Sequence, residues 1–139
     1  MPVDARFPVG AAASGPLYAE AIACTERSGD VWIRQTLHNN AGWTALEMGD
    51  TPAARAHLET AIHCAEAIGD SHPTSSENLG WVLRAEHDLD GARSRFEEAL
   101  RTNRQIVDKR GMESAINGLA SLVTDLGHWH RAAVLHGAA

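Results

Sequence analysis

Asn39-Asn40-Ala41-Gly42-Trp43 returns as Glu77-Asn78-Leu79-Gly80-Trp81, and more loosely as Asn117-Gly118-Leu119-Ala120-Ser121. Working outward, Ala54-Arg55 returns as Ala92-Arg93, and Leu58 as Phe96. Further back, Ala61-Ile62-His63-Cys64 repeats Ala21-Ile22-Ala23-Cys24, and the two runs end alike in Ser28-Gly29-Asp30 and Ile68-Gly69-Asp70. A period of roughly 38–40 residues means a solenoid of helix pairs, each burying its apolar face against its neighbours. No segment alternates with period two over the length of a strand, so the chain reads as all-α, with no sheet.

Turn residues divide the chain. Residues 1–13 hold Pro2, Pro8 and Gly10 and no helical period, and read as a flexible tail. Ser14-Gly15-Pro16 reads as a helix start, with serine as cap and proline in the first turn. The solenoid is then expected over 14–139. It comprises an orphan helix over 14–29 and repeats over 30–70, 71–108 and 109–139. About seven helices are expected. Gly29, Gly49 and Gly127 stop three of them, Asp50 or Thr51 opens one, Asp88 or Asp90 opens another, and the last begins near Trp129.

Composition excludes several classes. The chain has 139 residues, a net charge of −6 and Lys109 as its only lysine. It lacks the basic stripe that nucleic acid requires, and an anionic membrane surface is disfavoured for the same reason. There is no long apolar run and no signal-peptide build at Met1-Pro2-Val3-Asp4, so a cytoplasmic location is expected. Cys24 and Cys64 occupy equivalent points of successive repeats, too far apart for a disulfide, and read as buried free thiols.

The small and large residues at fixed places resemble the tetratricopeptide repeat. There the first helix of each pair (A) carries a small residue at its eighth position. The second (B) carries alanine, then a large apolar residue four on. Here these positions read Gly42, Gly80 and Ala120; Ala54, Ala92 and Ala132; Leu58, Phe96 and His136. The resemblance implies a right-handed superhelix of antiparallel helix pairs whose A helices line a concave face. The phrases Ala41–Asp50 and Arg131–Ala138 further resemble the C-terminal repeat regions of large bacterial ATP-binding transcriptional regulators of the LuxR and SARP types. Those proteins add a nucleotide-binding domain and a helix-turn-helix. This sequence has no G-x-x-x-x-G-K-[ST] loop and no basic recognition helix.

If the A helices line a groove, counting from the small residue places Asn39, Trp43 and Leu46 in it. Glu77, Trp81 and Arg84 follow, then Asn117, Ser121 and Thr124, with Glu47 at the rim. Trp43 and Trp81 hold identical repeat positions and would stand one above the other. Two indoles flanked by polar groups suit an apolar or aromatic ligand, although apolar residues at helical spacing also serve as core. Trp32 and Trp129 read as packing residues at helix starts. The eight histidines include no pair at i, i+4 spacing for zinc, so no metal and no cofactor are expected. No catalytic set stands out. Ordinary solvated carboxylates outweigh an acid–base pair drawn from Glu77, Glu47 or Asp125.

The expected function is therefore a non-catalytic binding module or adaptor. Its groove would take a protein, a peptide or a small apolar ligand. A small biosynthetic enzyme or ligand-binding protein using the indole-lined groove as an apolar chamber is the alternative. Unpaired apolar faces at the solenoid ends further suggest a homodimer.

Overall fold

The computed structural model describes residues 6–71, 73–135 and 137. Among these the elements are six helices: α1 (Arg6–Ser28), α2 (Val31–Glu47), α3 (Thr51–Ala67), α4 (Pro73–Ala85), α5 (Leu89–Gln105) and α6 (Lys109–Leu135). The all-helical repeat architecture is as expected.

One local device makes most of the turns. A residue in the left-handed region ends the helix, and an aspartate follows. The pairs are Gly29-Asp30, Gly49-Asp50, Gly69-Asp70, His87-Asp88 and Val107-Asp108, with φ between 60° and 78° at the first member. In four of them the aspartate carboxylate then accepts the backbone N–H three residues on. Asp30 takes Ile33, Asp50 takes Ala53, Asp88 takes Gly91 and Asp108 takes Gly111, at 2.9–3.1 Å. The aspartate's own N–H also reaches back to close the preceding helix, as in Asp50 to the Ala45 carbonyl and Asp88 to the Leu83 carbonyl, both 2.9 Å. The same two residues therefore satisfy the last carbonyls of one helix and the first amides of the next. His87 and Val107 adopt a conformation that glycine takes freely and that a β-branched side chain resists.

That device explains why there are six helices and not seven. The residue 38 positions after Asp50 is Asp88, and 38 after that is Leu126, which has no carboxylate to cap a new helix. Gly127 is followed by His128, and α6 runs through both. The break expected at Gly127 and the separate last helix near Trp129 are corrected accordingly. The expected tail over 1–13 is also corrected where it is described. α1 begins at Arg6, so Ser14 is not its cap, and Pro16 lies inside the helix.

Gly127 offers a direct check. A Cβ there would meet nothing within 4 Å, and φ is not in the left-handed region. Gly127→Ala is expected to stabilise the protein by about 0.5–1 kcal/mol, the helix-interior preference for alanine. A loss of stability in denaturant melts would instead mean that glycine terminates a helix there.

Helix pairs pack as the repeat requires. α2 packs on α3, α4 on α5 and α5 on α6, while α1 covers α2. The A helices α2, α4 and α6 also pack in a row, whereas the backbones of α3 and α5 stay more than 8 Å apart among the described residues. Closer approach along one edge than along the other curves the stack, with the A helices on the inside. The core runs through Leu58, Leu79, Val82, Leu83, Phe96 and Leu122. Close crossings need glycine. A Cβ on Gly42 would lie 2.6 Å from Leu58, one on Gly80 2.8 Å from Phe96 and one on Gly118 2.5 Å from Phe96.

The third close crossing resets the last repeat. Gly42, Gly80 and Gly118 share one spacing and one kind of contact, whereas Ala120 is exposed. The small residue assigned to Ala120 therefore belongs to Gly118. The matching B-helix positions move from Ala132 and His136 to His130 and Val134, and His136 itself lies outside the described residues. Val134 is 62% exposed because α6 never turns back to form a B helix. Among the cysteines, Cys64 is buried as expected, but Cys24 is exposed, and both are free.

Candidate binding groove

Trp43 of α2 and Trp81 of α4 lie on the concave side and line two adjoining cavities. The first, of about 400 Å³, is completed by Leu46, Arg84, His87, Leu89, Asp125 and Trp129. The second, of about 510 Å³, is bounded by Thr74, Glu77 and Asn78 of α4 and by Arg110, Gly111 and Ser114 in the first two turns of α6. The two indoles form the wall shared by both.

The polar groups around them have internal partners. Arg84 makes two bonds to Asp125 on α6, at 2.7 Å and 3.0 Å, and its guanidinium sits 5.7 Å from the Trp81 ring centre. The guanidinium holds the Asp125 carboxyl below its ordinary 3.8, first through the hydrogen bonds. A carboxylate with a depressed value stabilises the fold above its unfolded value, so this contribution is lost only as pH falls below that range. Trp81 meets Phe96 edge-on at 5.0 Å, which fixes the indole from behind. Trp43 donates its ring N–H to Glu47 at 3.0 Å and is 40% exposed. Trp129 is 58% exposed and its ring lies 6.0 Å from that of His87.

The sequence-predicted positions divide into three groups. Trp43, Trp81, Arg84 and Glu77 line the cavities, and Glu47 stands beside them on Trp43. Glu77 is nearly buried and accepts the Ser114 hydroxyl of α6. Asn39 is buried instead, its side-chain oxygen taking hydrogen bonds from Ser75 at 3.0 Å and Asn78 at 3.1 Å. It joins α2 to α4 and offers nothing to a ligand. Asn117, Ser121 and Thr124 line neither cavity. Asn117 is exposed, and the hydroxyls of Ser121 and Thr124 return to the Gly118 and Ala120 carbonyls.

The cause of that last misplacement is the register of the third repeat. Each helical residue turns the side chain by roughly 100°, so an offset of two residues points to the opposite side of α6. Asp125 and Trp129 are the positions on α6 that close the first cavity; the sequence reading set Asp125 aside as a solvated carboxylate and Trp129 as a packing residue. The signal was available: Gly118 continues the spacing of Gly42 and Gly80, and the aspartate turn mark is missing at 126.

A second polar cluster lies away from the groove, between α2 and α3. The Nδ1 atoms of His38 and His57 are 3.0 Å apart, a contact that needs one donor and one acceptor. Burial lowers both imidazoles below the usual 6.5. For His38, His57 and Arg34 add to the effect and Glu26 opposes it; for His57, Asp50 opposes it. The unfolded chain therefore binds protons that the folded chain resists as pH drops below about 6.5. This stability is present above that value and is lost as pH falls through the folded values. The denaturation midpoint is expected to fall between pH 7.5 and 5.5, and to fall less in His38→Gln/His57→Gln. An unchanged drop in the double variant would exclude the pair as its source.

Among the described residues no cluster of three or more His, Cys, Asp or Glu is placed to hold a metal ion, and no helix is long and apolar enough to cross a membrane.

Stacked antiparallel helix pairs, glycine-gated crossings and a groove lined by the first helix of each pair define an α-helical repeat protein. A model of the tetratricopeptide repeat matches residues 32–105, more than half of the chain, and the chain belongs to that family. No match is found among curated proteins or among solved structures.

Proposed function

We propose that this chain is a binding module whose concave groove takes a segment of a partner protein and performs no chemistry on it. The observation that carries this reading is the row of indoles. Trp43, Trp81 and Trp129 surround one cavity, and two of them present large apolar faces to solvent. Family membership supports it, since tetratricopeptide repeats generally serve protein interaction. The helices that line the groove are already braced by Arg84–Asp125 and by Asn39 with Ser75 and Asn78. A preformed surface loses little conformational freedom on binding, so more of the contact energy appears as affinity.

A small apolar ligand is the second reading. A cavity of about 400 Å³ falls within the range of small-molecule sites. The resemblance of Ala41–Asp50 and Arg131–Ala138 to repeat regions of LuxR- and SARP-type regulators favours a role in bacterial regulation in either case. The exposed apolar residues of α6, including Val123, Leu126 and Val134, further support a homodimer through that helix. Native mass spectrometry of the protein isolated from its host separates these readings. A co-purified polypeptide supports the adaptor. An adduct of a few hundred daltons supports the small ligand and overturns the adaptor. A monomer mass at all concentrations removes the homodimer.

A further inference from the structure

The two repeats that carry the tryptophans are not equally complete. In the second, Trp81 has a cation against its ring: Arg84, one turn further along α4, lies 5.7 Å from the ring centre and is held by Asp125. In the first, Trp43 holds the same repeat position and a carboxylate is again at hand. Glu47 accepts the Trp43 ring N–H at 3.0 Å, so the acid lies at the edge of the indole. The residue one turn further along α2 is Leu46 where the second repeat has Arg84. The arrangement of ring and acid is therefore present without its cation.

We propose that the groove recognises a basic and apolar segment of a partner protein, with a lysine or arginine placed on the exposed face of Trp43 beside Glu47. Its neighbouring apolar side chain enters the cavity between Trp43, Trp81 and Trp129. This deepens the binding-module reading and rests on it. A cation over an indole is drawn to the ring's negative face, and Glu47 adds a full charge in the same direction. The wider groove has the same sign. Glu47, Glu77, Asp108 and Asp125 line or border the two cavities, against Arg84 and Arg110. Arg84 is committed to Asp125, which leaves the field at Trp43 acidic. Rejection follows from the same geometry, because an acidic segment would face Glu47 and find Arg84 already paired.

The test uses the full chain as target and a random linear dodecapeptide display library as probe. Selected peptides are expected to carry lysine or arginine within one helical turn, or two extended residues, of leucine or an aromatic residue. For the best synthetic peptide, Glu47→Gln should weaken binding about fivefold, and replacing the peptide's basic residue by norleucine should do the same. The affinity should also fall as salt rises. Both Trp43 and Glu47 are exposed, so these variants are expected to fold, which circular dichroism checks. Acidic or uncharged peptides that still need Trp43 would overturn the cation site and leave the groove reading standing. So would a Glu47→Gln variant of full affinity. A selection that yields no binder sensitive to Trp43→Ala would overturn both.

Discussion

Phe96→Ala is expected to cost about 3–5 kcal/mol, the range for emptying a fully buried aromatic site. That is about a fifth or more of the roughly 5–15 kcal/mol that holds a native domain together. Phe96 is 0% exposed and, among the described residues, is the one side chain that plugs two of these crossings at once. Its ring lies against Gly80 of α4 and Gly118 of α6, and its edge supports Trp81. The two positions facing its ring are glycines, which have no side chain to move into the space. Leu58 plugs Gly42 alone and belongs to one helix pair, so Leu58→Ala is expected to cost less. Hydrogen exchange should show α6 loosening first in Phe96→Ala, since among the described residues α6 is held by α4 and α5 alone. A denaturation loss below about 1 kcal/mol would mean that the crossings are not as close as described.

Trp43→Ala combined with Trp129→Ala is expected to weaken partner binding by about thirtyfold or more, the effect of removing aromatic anchors worth about 2 kcal/mol. The same pair should change folding stability by less than about 1 kcal/mol, because exposed side chains away from the core contribute little to it. Their exposures of 40% and 58% place them on that side of the line. Trp81 is the wrong residue for this experiment. It packs edge-on against Phe96 and borders the core, so Trp81→Ala would lower stability and binding together. Calorimetric titration with a selected peptide, paired with a denaturation curve for each variant, reads both quantities. Unchanged affinity in the double variant would remove the groove from consideration.

The helix pairs were legible because their causes are local. A glycine at a close crossing and the plug that meets it lie at a fixed spacing inside one helix pair, and each aspartate after a left-handed residue acts within one turn of chain. Gly42 with Leu58 and Gly80 with Phe96 were readable for this reason. The inward placement of Trp43 and Trp81 follows from the same counting. The third repeat was misread because its spacing was set by Ala120, a small residue near the right place, and not by Gly118. Helical geometry then turned an error of two residues into the opposite face of α6. Asn117, Ser121 and Thr124 were named where Asp125 and Trp129 close the cavity.

By itself, then, the sequence determined the repeat, the all-helical architecture, the turns between α1 and α6 and two of the three indoles of the groove. These depend on periodicity and on side-chain to backbone bonds that are short in sequence. Only the tertiary structure decided how the polar residues were spent. Asn39 looked available and is consumed between α2 and α4; Arg84 is clamped to an aspartate 41 residues away; α6 runs straight to cover the end of the groove. Hydrogen-bond partners distant in sequence are chosen by how neighbouring repeats stack, and periodicity along one chain carries no record of that choice.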